Sequence, residues 1–239
     1  MDFFGPEATD FANVRVLNHA FLLRLREPRQ GRILRQRLPP DIAVLIEGLT
    51  NLQIERLAAS YPVWMSDVKM LADGLDMICA VGEMTGRHEQ TSELAKQIKA
   101  GFGALVPSQK SVRTAYFIWQ KPYMVVGGDT FIDDMLARCG FENLFREGNG
   151  RYPQLTPADI AAANLDLILL SSEPFPFAAK HQQAIAAEFP DVRVELVDGE
   201  LFSWYGSRLL KTVSYLKSLI DHIEKIPDSV IPAKAGIHS

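Results

Sequence analysis

The chain has 239 residues, 47% of them hydrophobic and 23% charged, with 16 Gly and 14 Pro. That balance describes one or two ordinary globular domains and excludes a disordered, collagen-like or coiled-coil protein. Lys+Arg number 25 against 29 Asp+Glu, a net charge of -4, so no overall basic field invites nucleic acid.

The opening MDFFGPEATD carries neither early Lys/Arg nor an apolar core, so no secretory leader is read there. Arg24, Arg26, Arg29, Arg32, Arg35 and Arg37 follow with only Glu27 opposing them, up to Pro39-Pro40. Without interleaved aromatics to stack bases, that run reads as a solvated segment rather than a nucleic-acid patch. Ile42 to Ile46 is a short strand candidate, Leu49 to Ser60 a short helix, and Val63-Trp64-Met65 a strand. Ser66 or Asp67 is placed to cap the next helix. That helix carries Leu71, Leu75, Ile78 and Met84 at helical spacing and stops at Thr85-Gly86. A second, about His88 to Leu105, aligns Leu94, Ile98, Phe102 and Leu105 along a rod of about 27 Å. Cys79 and Cys139 sit in apolar helical contexts and make neither a disulfide scaffold nor a zinc cluster.

From Arg113 the pattern becomes regular. Thr114 to Trp119 is a strand, Thr130 to Cys139 a helix stopped by Gly140, and Thr156 to Asn164 a helix with Pro157 in its first turn. Leu165 to Ser171 is a near-continuous apolar strand, Ala178 to Glu188 a helix, Val192 to Val197 a strand, and Ser207 to Ile223 an amphipathic helix. Strands alternating with helices imply an α/β lobe with a mainly parallel sheet. Apolar stretches such as Leu165 to Leu170 fall well short of the roughly 20 residues of a membrane span.

In such lobes, ligands meet the loops at the carboxyl ends of the strands. Here those loops are Gln120 to Thr130, Ser172 to Phe177 and Asp198 to Gly206. In the first, Trp119, Tyr123 and Met124 either face a large flat ligand or pack into the core. Gly127-Gly128 precede a helix start, where an anion can be held, but neither GxxxxGK[ST] nor GxGxxG is present. Thr130 or Asp129 caps that helix. The second loop sets Glu173 between the strand and the proline-held Phe175 and Phe177. A lone carboxylate lacks the second group that acid–base work needs, so docking or loop structure is the better reading of Glu173. The third loop mixes Asp198 and Glu200 with Phe202, Trp204 and Tyr205, and no GxSxG elbow is present. Asp198, Glu200 and His181 have no metal-site spacing, and His19, His88, His181, His222 and His238 are all isolated. Many aromatics with few titratable groups describe an apolar cleft rather than an active site.

Five motifs in order carry a specific resemblance: PVWMSDV from Pro62, IWQKPYM from Ile118, GGDTFI from Gly127, SEPFPF from Ser172 and VDGELFSWYGSR from Val197. They look like the cobalamin-type branch of the metal-chelate substrate-binding proteins of ATP-binding-cassette importers, over roughly Asn51 to Ile223. The resemblance implies an α/β protein: two α/β lobes with mainly parallel sheets joined by a single long helix, the first lobe shortened. Residues 1–66 are then a partial or atypical first lobe, 67–110 a helical segment with the spanning helix at about 88–105, 111–225 the C-terminal α/β lobe and 226–239 a disordered tail.

The same resemblance implies a non-enzymatic receptor whose ligand is cobalamin or another metal chelate, haem or a ferric siderophore, with no intrinsic cofactor and no metal site. Its ligand-binding residues are Trp64, Trp119, Tyr123, Met124, Phe175, Phe177, Phe202, Trp204 and Tyr205. Its partners are the permease and ATPase subunits, with Glu173 pairing with permease arginines; the protein is a monomer without nucleic acid or membrane span. The family works in the periplasm or at the cell surface, whereas the chain as written, lacking a leader, is cytoplasmic if its start is genuine. The family's Pro-Ser-Thr-Glu-like turn is missing before Pro62, so the Arg-rich run reads as non-homologous and the ValIleProAlaLysAlaGlyIle tail from Val230 as read-through. Two alternatives are a remnant that binds weakly or not at all, and a tetrapyrrole metal chelatase using His181 beside Glu173.

Overall fold

A computed structural model describes residues 44–45, 63–64 and 66–225. The expected helix at Leu49 to Ser60, the arginine run and the tail from Val230 lie outside them. The described chain divides into two compact units. One holds the residues up to Val68 together with Ala72–Lys99 and Tyr205–Ser207; the other holds Lys69–Leu71, Ala100–Trp204 and the residues from Arg208.

In the first unit, β1 (Val44–Leu45) and β2 (Val63–Trp64) pair in parallel, Val44 opposite Val63 and Leu45 opposite Trp64. Both fall inside the strands expected from sequence. Helix α1 runs Leu71–Met84. The helix begins later than a cap at Ser66 or Asp67 anticipates, and the Leu71 N–H donates to Asp134 Oδ2 at 2.8 Å. Leu71, Met77, Ile78 and Val81 are buried, whereas Met84 is exposed, contrary to its expected place on the apolar stripe. The helix ends in a paired reversal: Gly86 at φ +66° donates to Glu83 O and Arg87 to Gly82 O, which satisfies two carbonyls of its last turn. Helix α2 (His88–Gly103) follows, about 24 Å long, its residues from Ala100 belonging to the second unit, with Ile98 and Phe102 buried as expected.

The second unit is built on a six-stranded sheet: β3 (Val112–Trp119), β4 (Tyr123–Val125), β5 (Phe141–Asn143), β6 (Gln154–Leu155), β7 (Leu167–Ser171) and β8 (Arg193–Val197). Its order is β6-β4-β3-β7-β8, with β5 also paired to β3. The β3–β5, β3–β7 and β7–β8 pairs are parallel; β3–β4 and β4–β6 are antiparallel. All five residues of β7 are buried, as a strand covered on both faces requires. Helices α3 (Phe131–Arg138), α4 (Pro157–Ala162), α5 (Ala179–Glu188), α6 (Glu200–Ser203) and α7 (Leu209–Lys225) complete the unit.

Alternation along the strands sends Ala115, Phe117, Ile168, Leu170 and Val194 into one core with Ile160 of α4 and Ile185 of α5. The Asp166 carboxylate fixes the start of β3. It accepts from Arg113 Nε at 2.9 Å, Nη2 at 2.7 Å and the backbone N–H at 2.9 Å.

The expected loop from Gln120 to Thr130 contains β4. Chain reversal occurs at Lys121, whose φ is +64°, and Tyr-Met-Val then pairs back on β3, Trp119 opposite Met124. Two or three residues show no alternation that distinguishes a strand from a loop, which is why β4, β5 and β6 escape a pattern-based reading.

Candidate functional site

Strands β3, β7 and β8 are parallel, so their carboxyl ends open on one edge of the second unit and their three exit loops meet there. Trp119, the last residue of β3, is 41% exposed. The Phe175 ring stands edge-on to it, 5.5 Å between centroids at 69°. Phe175 is fixed by its backbone N–H donating to Ile118 O at 3.3 Å. Phe177 lies 4.7 Å beyond it and His181 5.2 Å.

The loops after β7 and β8 are sewn together by polar contacts. Glu173 Oε1 accepts from Ser203 Oγ at 2.7 Å and from Trp204 Nε1 at 2.9 Å. Ser172 Oγ accepts from the Gly199 N–H at 2.9 Å. A Cβ on Gly199 would meet Glu173 Cγ at 2.7 Å, so glycine is what lets the loops approach this closely. Beneath them Tyr116 donates to Ser171 Oγ at 3.1 Å, and Ser171 donates to Glu173 O at 2.6 Å. Burial pushes the Tyr116 hydroxyl well above the usual tyrosine range, so it stays a neutral donor.

On the outer side, the Arg208 guanidinium lies 4.9 Å from the Trp204 ring centroid and pairs with Glu200 at 2.6 Å. Burial raises the Glu200 carboxyl above its ordinary range. Arg208 opposes that rise, and the charges of Glu173 and Asp198 add to it. Asp198 starts α6, its Oδ1 accepting the N–H groups of Glu200 and Leu201 at 3.0 and 3.4 Å.

The residues expected to form an aromatic wall are thus divided. Trp119 and Phe175 meet at the strand ends, with Met124 half-buried beside Trp119, while Trp204 is joined to the loop after β7 through Glu173. Phe202 does not face outward: it is 0% exposed and enclosed by Tyr116 at 5.0 Å and Tyr215 at 6.2 Å. Phe177 belongs to the core. Tyr123 turns onto Phe117 and Phe189, and its hydroxyl donates to Glu188 at 2.7 Å; burial and Glu188 push that hydroxyl up to about 12. Trp64 and Tyr205 are half-buried members of the first unit.

Other expectations resolve in the same detail. Thr130 caps α3, its Oγ1 accepting the Asp133 N–H at 3.2 Å, while Asp129 pairs with Lys69 at 2.8 Å. The Gly127 and Gly128 N–H groups donate to Arg151 O and Arg146 O, both at 2.9 Å, so neither is offered to an anion. His181 Nδ1 accepts the Ala178 N–H at 3.0 Å at the start of α5. That is a capping role, while Glu173 is engaged by Ser203 and Trp204; the acid–base pair a chelatase needs is not assembled from these contacts. Among the described residues no group of three His, Cys, Asp or Glu side chains is placed to hold a metal ion, and no helix is long and apolar enough to cross a membrane.

Sequence inspection passed over Arg208 and Ser203. Arg208 closes the last of the five motifs, and its distance of four residues from Trp204 was the available signal.

The family model described as periplasmic binding protein matches residues 36–190. The match starts earlier than the motifs above and ends at Pro190. The vitamin B12-binding protein of Vibrio campbellii is 20% identical over 201 residues, 79% of this chain and 70% of that protein. The crystal structure of the periplasmic vitamin B12 binding protein of Vibrio cholerae superposes with a TM-score of 0.62 at 16% identity, covering 92% of this chain and 86% of that one. The periplasmic heme binding protein of the same organism gives 0.65 at 14% identity, covering 80% and 79%. The mixed α/β architecture with a mostly parallel sheet is the fold of these structures.

Proposed function

The chain belongs to the periplasmic binding protein family, and from that premise we propose that it is the substrate-binding component of an ATP-binding-cassette importer for a metal chelate, cobalamin before haem or a ferric siderophore. Its partners are then a permease and an ATPase, and its place of work is outside the cytoplasmic membrane.

The observation that carries this reading is the exposed Trp119 with Phe175 edge-on to it; the loop that bears Phe175 also holds the Trp204 N–H through Glu173, and Arg208 covers the Trp204 face. Flat or corrugated macrocycles suit such a surface, since each aromatic contact adds about 0.5–1.5 kcal/mol beyond area burial. Aromatic anchors placed on rigid strand ends lose little freedom on binding. The preference for cobalamin leans on the sequence likeness to the vitamin B12-binding protein of Vibrio campbellii; the fold likeness is shared with a heme binding protein.

Isothermal titration with cyanocobalamin, haemin and ferrioxamine B tests the proposal. Saturable heat with cyanocobalamin at lower concentration than with the other two is the expected result. Tighter binding of haemin or ferrioxamine would reassign the ligand, and no binding of any would remove the function.

A further inference from the structure

The Glu173 carboxylate holds Ser203 and Trp204 through one oxygen, at 2.7 and 2.9 Å, and its side-chain stem lies where only a glycine at position 199 leaves room. Trp204 is gripped a second time from its face by Arg208, itself fixed by Glu200. An indole needs a partner for its single N–H when it is half-buried, and here the partner comes from the neighbouring loop.

We propose that Glu173 is a positioning residue of the binding face: it sets the Trp204 indole in its binding orientation and locks the loop after β8 to the loop after β7. The carboxylate therefore works inside the protein rather than as a free charge offered to a permease. An accepting oxygen at this position is what matters, and the negative charge is secondary. Glutamine retains such an oxygen, whereas alanine leaves the Trp204 N–H without its acceptor, returns the Ser203 hydroxyl to Gly199 O at 2.8 Å and opens a gap against Gly199. The proposal rests on Trp204 lining the chelate site, so its test includes a readout that needs no ligand.

With indole-15N tryptophan in the full chain, the Trp204 indole proton of the wild type exchanges with water at least about tenfold more slowly than that of the exposed Trp119, as expected for a hydrogen-bonded donor. Glu173→Ala brings it to the Trp119 rate and Glu173→Gln recovers most of the protection, circular dichroism confirming that both variants fold. In parallel, Glu173→Ala weakens cyanocobalamin binding about tenfold and Glu173→Gln recovers most of that loss. Unchanged Trp204 exchange in Glu173→Ala overturns the proposal whether or not any chelate binds. Equal loss in the alanine and glutamine variants also overturns it, because charge would then be the property that counts. If exchange follows the expected pattern but cyanocobalamin, haemin and ferrioxamine B all fail to bind, the positioning of the indole stands and the proposed function falls.

Discussion

Trp119 and Phe175 meet edge to face at 5.5 Å, one from the last residue of β3 and the other from the loop after β7. Trp119 remains substantially open to solvent, so the pair is a surface device rather than core packing. Under the proposed function, replacing either ring by alanine removes an aromatic contact with the macrocycle and leaves the other ring unsupported. Each single variant is expected to weaken chelate binding by about 1–2 kcal/mol, roughly five- to thirtyfold. The double variant should lose less than the sum, because the rings act together. Equilibrium titration of the four proteins measures this coupling.

Gly199→Ala tests the contact between the loops after β7 and β8. The added methyl meets Glu173 Cγ at 2.7 Å and the Glu173 N at 3.1 Å, and the latter is backbone that cannot swing aside. Overpacking of this kind costs about 1–3 kcal/mol. A lowered urea midpoint with an unchanged slope is expected, together with weaker chelate binding.

In the first unit, a Cβ on Gly82 would overlap the buried Thr91 side chain, with Thr91 Cβ at 2.7 Å. Gly82→Ala is expected to destabilise the chain by about 1–3 kcal/mol despite the better helix propensity of alanine. Thr91→Ala should recover part of that loss in the double variant, since it removes Oγ1 and Cγ2 and leaves only Cβ in the way. Additive losses in thermal unfolding would show that the two helices do not meet at this point.

Glu200 gives a pH dependence of defined sign. Its folded-state carboxyl is raised, chiefly by burial, so the folded protein binds this proton more readily than the unfolded chain. The contribution is fully present below the ordinary glutamate range, about 4.3, and is lost as pH rises through the raised value. The stability difference between wild type and Glu200→Gln should therefore fall with rising pH across that window. A difference that rises with pH would mean that pairing with Arg208 outweighs burial.

The two cysteines should separate in reactivity. Burial pushes the Cys139 thiol up to about 12, which leaves almost no thiolate at neutral pH. A thiol reagent on the native protein is expected to label Cys79, which is half-buried, and to reach Cys139 only after denaturant is added.

The second unit was legible in the sequence because its helices and long strands repeat their apolar residues with a definite period. Leu165 to Ser171 reads as a buried strand since all the residues of β7 are covered, and Thr130 reads as a cap since local hydrogen bonding decides it. The three-residue strands were not legible: Tyr123–Val125 is a strand because Phe117 and Trp119 of β3 receive it, and that partner lies outside any local window. Residue type identified the aromatic loops but not the direction of each ring. Phe202 and Trp204 are two residues apart, yet one is sealed against Tyr116 and the other is held between Glu173 and Arg208. Ring direction follows from the path of the loop, which is fixed by Gly199 and Glu173 rather than by the aromatic residues themselves.

Tryptophan fluorescence of the purified chain during titration with cyanocobalamin, beside Trp119→Phe and Trp204→Phe variants, tests chelate binding at this face directly. Saturable quenching at micromolar concentration or below is expected, with a smaller amplitude in each variant, as the proposed placement of Trp119 and Trp204 at the ligand requires. Quenching that rises linearly without saturating, and is the same in all three proteins, would contradict it.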